Sequence, residues 1–216
     1  MTITLQTLEY QTADQSKTYL KAKAQAYGFN EYARGVRAAV RGLWSGVYDE
    51  MAFYEAFYSL LNVGLTAAWQ EGARNCGIAP DELTLDELKL MRFRVSEQMN
   101  YVTGFAEAIA AGSKDNKGKL TPLLQRALMW VNRYNDVKNQ AMQIACKDQK
   151  LMWVIGPTEQ HCASCSKLDG RVYRASIWKK YDLRPQMWRL ACRGVHCLCT
   201  LNPTTDRVTP GHPPSI

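Results

Sequence analysis

Most of the first 150 residues carry apolar positions at the three- and four-residue spacing of amphipathic helices. The clearest case is residues 84–112, where Thr84 and Glu87 form a capping box and Gly112 is placed to end the helix. Its apolar stripe consists of Leu88, Met91, Val95, Met99, Val102, Ala106 and Ile109. We therefore predict one helix over this whole segment.

Further helical segments are predicted on either side of that helix. One begins with Thr121 as its N-cap and Pro122 at its first helical position. An earlier segment, residues 48–75, is apolar on two faces, so we expect it to be central, with neighbours on both sides. Residues 13–45 are expected to hold one or two more helices, broken near Gly28.

Helical periodicity is lost after Lys150. The next residues indicate a short strand running into a turn, and the segment that follows is rich in Cys, Arg, Gly and Pro. The last fifteen residues contain four prolines and are expected to be extended. The predicted fold is mainly α: a helical body (1–150), a small C-terminal α+β module that is zinc-ribbon-like (151–203), and an extended tail (204–216).

Composition and charge narrow the class of protein. Hydrophobic residues make up 46% of the 216, which is ordinary for a globular protein. We expect no membrane partner, because no apolar run reaches the roughly 20 residues that a bilayer requires. The amino terminus lacks the pattern of a secretion signal, so we expect folding in a cytosol, where clustered cysteines more often bind metal than form disulfides.

The formal net charge of +7 is unevenly distributed along the chain. Residues 1–112 contain 10 Lys and Arg against 13 Asp and Glu, whereas residues 113–216 contain 17 against 7. This split predicts that one end meets a polyanion and the other end meets protein. The alternative is a solvated basic surface without a partner.

Five of the seven cysteines are clustered between positions 162 and 199. Cys162 and Cys165 form a C-x-x-C knuckle that turns two thiolates toward one ion, and residues 192–199 can supply the other ligands. We predict a structural zinc site, with disulfides or free thiols as alternatives; spacing leaves the fourth ligand open. Cys76 and Cys146 lie away from the cluster and are predicted to be buried free thiols. The candidate ligands are Cys162, Cys165, Cys192, Cys197 and Cys199, with His196 as an imidazole alternative.

Catalytic interpretations lack the residues they need. The three histidines, His161, His196 and His212, all lie in or beyond the cysteine region. A Cys-His nucleophile would have to use adjacent residues, which rarely face each other, and no third group that could orient the histidine is identifiable. A closed metal site with four protein ligands also leaves no coordination position for a substrate. We therefore predict that the protein is not an enzyme.

Basic and aromatic residues alternate between the two cysteine clusters. The aromatic ones are Tyr173, Trp178, Tyr181 and Trp188. Such interleaving suits phosphate contacts and base stacking without sequence specificity. The alternative is that the aromatic rings form the core of the module and the basic side chains are merely solvated. The candidate nucleic-acid-binding residues are Arg171, Arg174, Lys179, Lys180, Arg184, Arg189 and Arg193.

The C-terminal motifs follow a recognisable order: a strand with Trp, C-x-x-C, Leu-x-Gly, a Trp-bearing stretch with Pro, and C-x-C before Leu-x-Pro. The matching residues are Trp153, Cys162, Cys165, Leu168, Gly170, Val172, Pro185, Cys197, Cys199, Leu201 and Pro203. This order resembles the C-terminal module of phage minor head (head morphogenesis) proteins of the phage Mu F-like group. The segments "FYEAFYSLLNVGLTAAWQEGARNCGIAPDEL" and "ALMWVNRYNDV" are also similar to prophage versions, so the resemblance covers most of the chain from about residue 45.

The resemblance implies a minor virion component that associates with the phage portal and major capsid proteins in the host cytoplasm, resides in the head and contacts packaged DNA. Many members carry a His three residues before the first Cys of the C-x-C motif, and an Arg inside that motif. Here those positions are Gly194 and Leu198, and Cys192 can supply the ligand that the usual His would give. The alternative class is a zinc-dependent nucleic-acid-binding or -processing protein, a nuclease or a regulator.

Overall fold

The computed structural model describes residues 27–158, 160–195 and 197–216, so the part of the helical segment predicted over residues 13–45 that precedes residue 27 lies outside them. The described chain is mainly helical and carries one three-stranded antiparallel sheet. The helices are α1 (Phe29–Trp44), α2 (Glu50–Arg74), α3 (Leu85–Met99), α4 (Val102–Ala111), α5 (Leu120–Ala145), α6 (Ala163–Leu168) and α7 (Ala175–Lys180), with a 3₁₀ turn at Pro80–Glu82. The strands are β1 (Lys150–Val154), β2 (Val172–Arg174) and β3 (Thr200–Pro203).

An aromatic cluster forms the centre of the helical body. It joins Phe53 and Phe57 of α2 to Phe105 of α4 and Trp130 of α5, and the Phe105 and Trp130 rings stack with their centroids 4.6 Å apart. All four side chains are buried. As predicted, α2 is the central helix, because α1, α3 and α5 all pack against it. No helix within the described ranges is both long and apolar enough to cross a bilayer.

The close approach of α2 and α5 depends on Gly72. A Cβ atom at this position would collide with the backbone carbonyl of Lys138 and lie 2.8 Å from the Cβ of Ala141. Beside this crossing, Glu71 accepts hydrogen bonds from the Tyr134 hydroxyl at 2.8 Å and from the Lys138 ammonium at 2.6 Å. The helix pair is therefore held by direct backbone contact and by one polar cluster.

Replacing Gly72 by alanine is expected to lower the free energy of unfolding by about 1–3 kcal/mol, because the added methyl forces two helix backbones apart. Gly104→Ala is the matched control: Gly104 is also helical, but no atom lies within 4 Å of a Cβ built there. That change should be neutral or stabilising by about 0.5–1 kcal/mol. Urea unfolding followed by circular dichroism measures both, and an unchanged midpoint for Gly72→Ala would contradict the packing described.

The structure divides the helix predicted over residues 84–112 into α3 and α4. The capping box at Thr84 and the end at Gly112 are as predicted, but Asn100 and Tyr101 separate two helices. At the break the Tyr101 N–H donates to the carbonyl of Gln98, three residues back, at 3.2 Å. The apolar residues flanking the break are three positions apart, a spacing that a continuous helix also has, so periodicity alone could not detect it.

The predicted start of α5 is displaced by a few residues. Lys119 is the N-cap and Leu120 the first helical residue, so Thr121 is not the cap and Pro122 stands third instead of first in the helix. Proline is tolerated anywhere in the first turn, because the N–H groups there have no intrahelical partner. A proline therefore marks the beginning of a helix to within a turn.

Cys76 and Cys146 form a disulfide, with their Cα atoms 4.9 Å apart, and the prediction that they are free thiols was wrong. Each residue lies just beyond the end of a long helix: Cys76 is two residues after the last residue of α2, and Cys146 directly follows α5. The two cysteines are 70 residues apart in sequence, and only the packing of α2 on α5 brings these helix ends together.

The sheet has the order β2-β1-β3, and β1 is the strand predicted after the helical body. Its Trp153 is paired with Leu201 of β3 and lies beside Trp178 of α7, with ring centroids 5.7 Å apart. The Trp178 indole N–H donates to the Leu151 carbonyl at 2.9 Å. These apolar residues are continuous with the core of the helical body, so one cluster of buried side chains runs from α1 to β3.

Residues 204–216 contain neither helix nor strand, as predicted, but this tail packs against the sheet. The Thr209 N–H donates to the Val172 carbonyl at 2.9 Å, and the Val172 N–H donates to the Thr209 hydroxyl at 3.0 Å. The Tyr173 hydroxyl donates to the carbonyl of His212 at 3.1 Å. The tail thereby covers the free edge of β2, which would otherwise present unpaired backbone groups.

Candidate metal centre

The thiols of five cysteines meet beside the sheet. Cys162 and Cys165 lie at the start of α6, and Cys192, Cys197 and Cys199 lie in the loop that leads into β3. In each of two sets of three, all sulfur atoms lie within 4.8 Å of one another: 162, 165 and 192 form one set, and 165, 197 and 199 form the other. Cys165 belongs to both sets and is therefore the middle of the cluster.

These distances fit a metal ion held by thiolates. A tetrahedral ion with metal–sulfur bonds of about 2.3 Å places its sulfur ligands about 3.8 Å apart. The sulfur atoms of Cys165 and Cys197 are 4.0 Å apart, and both residues are buried together with Cys199. The cysteine cluster predicted from the sequence thus folds into a site that could hold a metal ion.

The local fold explains why the knuckle presents both sulfurs on one side. Cys162 is the N-cap of α6, and its sulfur accepts a hydrogen bond from the Cys165 N–H at 3.4 Å. This contact ties the first sulfur to the turn that carries the second, as a cap ties a side chain to a helix start. His161 lines the same hollow, and its Nδ1 lies 3.1 Å from the Thr158 hydroxyl. His196, the imidazole alternative, lies outside the described residues.

Mutual hydrogen bonding makes the thiols differ in acidity. Contacts with Cys192, Cys197 and Cys199 raise the pKa of Cys165, which remains the protonated donor. Hydrogen bonds from Cys165 lower the pKa of Cys197 to about 7 and that of Cys199 to about 3. Both shifts favour thiolate, which is the form in which cysteine ligates a metal.

A buried polar relay holds the second cysteine cluster against α5. The side-chain amide of Gln186 donates to the carbonyls of Cys197 at 3.0 Å and Cys199 at 2.6 Å. Its oxygen accepts from the amide of Asn139 at 2.7 Å, and the Asn139 oxygen accepts from the Leu201 N–H at 2.8 Å. Asn139 and Gln186 are buried, at 0% and 2% exposed, so their amides take the place of solvent for three backbone groups, the carbonyls of Cys197 and Cys199 and the N–H of Leu201.

Asn139 belongs to a polar stripe on α5 that the sequence analysis missed. The stripe consists of Asn132, Asp136, Asn139 and Gln143. Its first member donates to the Gly194 carbonyl at 3.2 Å, and its last donates to the Leu183 carbonyl. The available signal was the spacing of these residues by four, three and four, which places them on one helical face. That face is buried against the C-terminal module.

Asp136 joins the stripe to the module through an ion pair. Its two carboxylate oxygens accept hydrogen bonds from Arg184 Nε and from Arg133 Nη1, each at 2.8 Å. The Asp136 side chain is 4% exposed and that of Arg184 is 11% exposed. Arg184, predicted to bind nucleic acid, thus forms an ion pair that joins the module to α5.

The other predicted nucleic-acid-binding residues lie on the surface. Their side chains are those of Arg171, Arg174, Lys179, Lys180, Arg189 and Arg193, all exposed. The alternative interpretation is correct for two of the aromatic residues, because Tyr173 and Trp178 are buried in the module. Tyr181 is half-buried, whereas Trp188 is 71% exposed and free to stack on a ligand.

No protein-family model, curated protein or solved structure matches this chain. The functional interpretation therefore depends on the residues themselves. Their arrangement can hold a metal ion among sulfur ligands, with no carboxylate in either of the three-residue sets.

Proposed function

We propose that the chain is a minor, non-enzymatic component of a bacteriophage head, acting in head morphogenesis and portal-associated capsid assembly. The observation that carries the proposal is the meeting of the C-x-x-C and C-x-C motifs at one thiol cluster beside β1 and β3. These are the motifs, in the same order, on which the resemblance to phage minor head proteins depends.

The cysteine centre is proposed to be a structural, zinc-ribbon-like site. Zinc is the metal that all-thiolate tetrahedral sites of this size take most often in proteins. Its role would be to crosslink α6 to the loop before β3, because that loop contains little regular structure of its own. Five cysteines are available for four positions, so one of them is not a ligand.

The partners are those that the resemblance implies, and the charge distribution fits them. The helical body, which is near neutral with 18 Lys and Arg against 16 Asp and Glu in residues 1–150, is proposed to dock on the portal and major capsid proteins, inside the head or near the portal vertex. The exposed basic residues of the module, among them Arg171 and Lys180, are proposed to contact packaged DNA without sequence specificity. The same exposed residues favour the second candidate function, a zinc-dependent nucleic-acid-binding or -processing protein.

The proposal is tested in phage particles released by the host that carries the gene. We expect the protein in purified heads in few copies, as measured by quantitative mass spectrometry. Deleting the gene should reduce the yield of DNA-filled heads by at least tenfold, roughly the effect of a lost obligatory assembly step, and the intact gene supplied in trans should restore it. Normal yields of filled heads without the gene would reject the assignment.

A nuclease assay separates the two candidate functions. Purified protein with added magnesium, manganese or zinc is expected to leave duplex and single-stranded DNA intact, because the proposed zinc site with four protein ligands would have no open coordination position. Cleavage that disappears in Cys165→Ser would favour the processing enzyme.

A further inference from the structure

A cleft of about 560 Å³ opens between the α3–α4 break, the outer face of α5 and the module loop that follows Arg184. Two exposed rings line it, those of Tyr101 at the break and Trp188 in the loop, which are 64% and 71% exposed. We call it the arginine cleft, because four guanidinium groups line it. They belong to Arg94, Arg126, Arg133 and Arg184.

The arginine cleft has a surplus of positive charge. Its two carboxylates are already used: Glu97 pairs with Arg94 at 2.8 Å, and Asp136 is shared between Arg133 and Arg184. Arg126 has no carboxylate partner within the described ranges, and its guanidinium lies over the ring of Phe105, 5.2 Å from the centroid. Arg184 has a further carboxylate partner outside the cleft lining, Asp182, 3.2 Å from its Nη1. Four cations therefore face three anions, and the unpaired cation is the exposed Arg126.

Cations and flat exposed rings in one concave site are the combination that binds single-stranded nucleic acid. Phosphates pair with guanidinium groups, and unpaired bases stack on aromatic side chains. A duplex cannot stack its bases on such side chains, because they are already stacked on one another. The cleft volume lies within the range of sites that hold a small organic ligand, which is the scale of one or two nucleotides.

We propose that the arginine cleft binds a single-stranded segment of nucleic acid, with a base on Trp188 and a phosphate on Arg126. An acidic peptide is the competing ligand, since Met129, 46% exposed, also lines the cleft. We favour nucleic acid, because the cleft has two exposed aromatic rings, Tyr101 and Trp188, and only one exposed aliphatic side chain, Met129. The arginine cleft is distinct from the surface residues proposed above to contact packaged DNA. Only the class of ligand, nucleic acid, is shared with the proposed function.

The test is fluorescence anisotropy of a labelled oligothymidylate, titrated with the full-length protein at low and at higher salt. Saturable binding that weakens with salt is expected. Trp188→Ala and Arg126→Gln should each weaken it at least about fivefold, whereas Trp188→Phe should retain most of the affinity. Both native side chains are exposed, so circular dichroism and thermal melting of the variants should match those of the parent.

Arg41→Gln is the matched control, because Arg41 is also an exposed arginine on a helix but does not line the cleft. The affinity of this variant for oligothymidylate should stay within about twofold of the parent. Absence of saturable binding, or an equal loss in Arg41→Gln and Arg126→Gln, would overturn the proposal, as would displacement of the oligonucleotide by an oligoglutamate peptide at equal concentration. Absence of the protein from phage heads would reject the proposed function and leave this binding result unaffected.

Discussion

Replacing Cys165 by serine is expected to abolish metal binding, from about one equivalent per chain to less than about 0.1, because four-coordinate sites require all their ligands. Cys165 is 1% exposed and is the member common to both sets of three sulfurs. No other cysteine of the cluster lies at its middle. Metal analysis by mass spectrometry of protein purified without chelator measures the loss. The near-ultraviolet circular dichroism of the buried Trp153 and Trp178 should diminish with it, since structural metal binding is coupled to folding.

Two sets of variants make this result specific. Ser166→Ala alters an exposed side chain next to Cys165 in α6 and should keep a full equivalent of metal. Serine variants of the other four cysteines should divide into three that lose metal and one that retains it, because five thiols serve four positions. A Cys165→Ser protein that still binds one equivalent would show that Cys165 is not a ligand, because four thiols of the cluster remain in that variant.

Replacing Asp136 by alanine is expected to lower the free energy of unfolding by about 3–5 kcal/mol. The reason is that Arg184, 11% exposed, would lose the buried carboxylate that pairs with its Nε and keep only the exposed Asp182, 3.2 Å from its Nη1. Arg133 would lose its partner as well. The penalty for an unpaired buried charge exceeds what the ion pair itself contributes. Urea denaturation at neutral pH, followed by circular dichroism, measures the difference.

Asp86→Ala is the matched control for the Asp136 variant. Asp86 also pairs with a basic residue on its own helix, Lys89, at 3.3 Å, but its side chain is 92% exposed. Solvent screens such a pair, so the expected effect is less than about 1 kcal/mol. Equal losses for the two variants would mean that burial of Asp136 under the module does not matter for stability.

The helical body could largely be predicted from the sequence, because the burial of one face imposes a period on apolar residues. The position of α2 at the centre followed from its two apolar faces. The break at Asn100 and Tyr101 could not be predicted, since the apolar stripe passes across it without a change of spacing. A helix can change its hydrogen bonding there while the same side chains remain buried.

The thiol cluster was predictable in a different way, from the chemistry of closely spaced cysteines. Its supports were not, because Asn139 and Gln186 are 47 residues apart and each is an ordinary polar residue in its own segment. The disulfide between Cys76 and Cys146 could not be predicted for the same reason, because the two cysteines are 70 residues apart and no local pattern links them. Such pairs become visible only when the packing of helices and loops is known.

The polar stripe on α5 also bears on how the chain is made. During synthesis the helical body emerges before residues 183–201, which cover that stripe in the finished protein. Apolar surface left open at this stage favours aggregation. Asn139, Gln143 and their neighbours can instead bond to water until the module is complete. Along this stripe the interface between the two parts is polar, so residues 183–201 replace water there with their own carbonyls and amides.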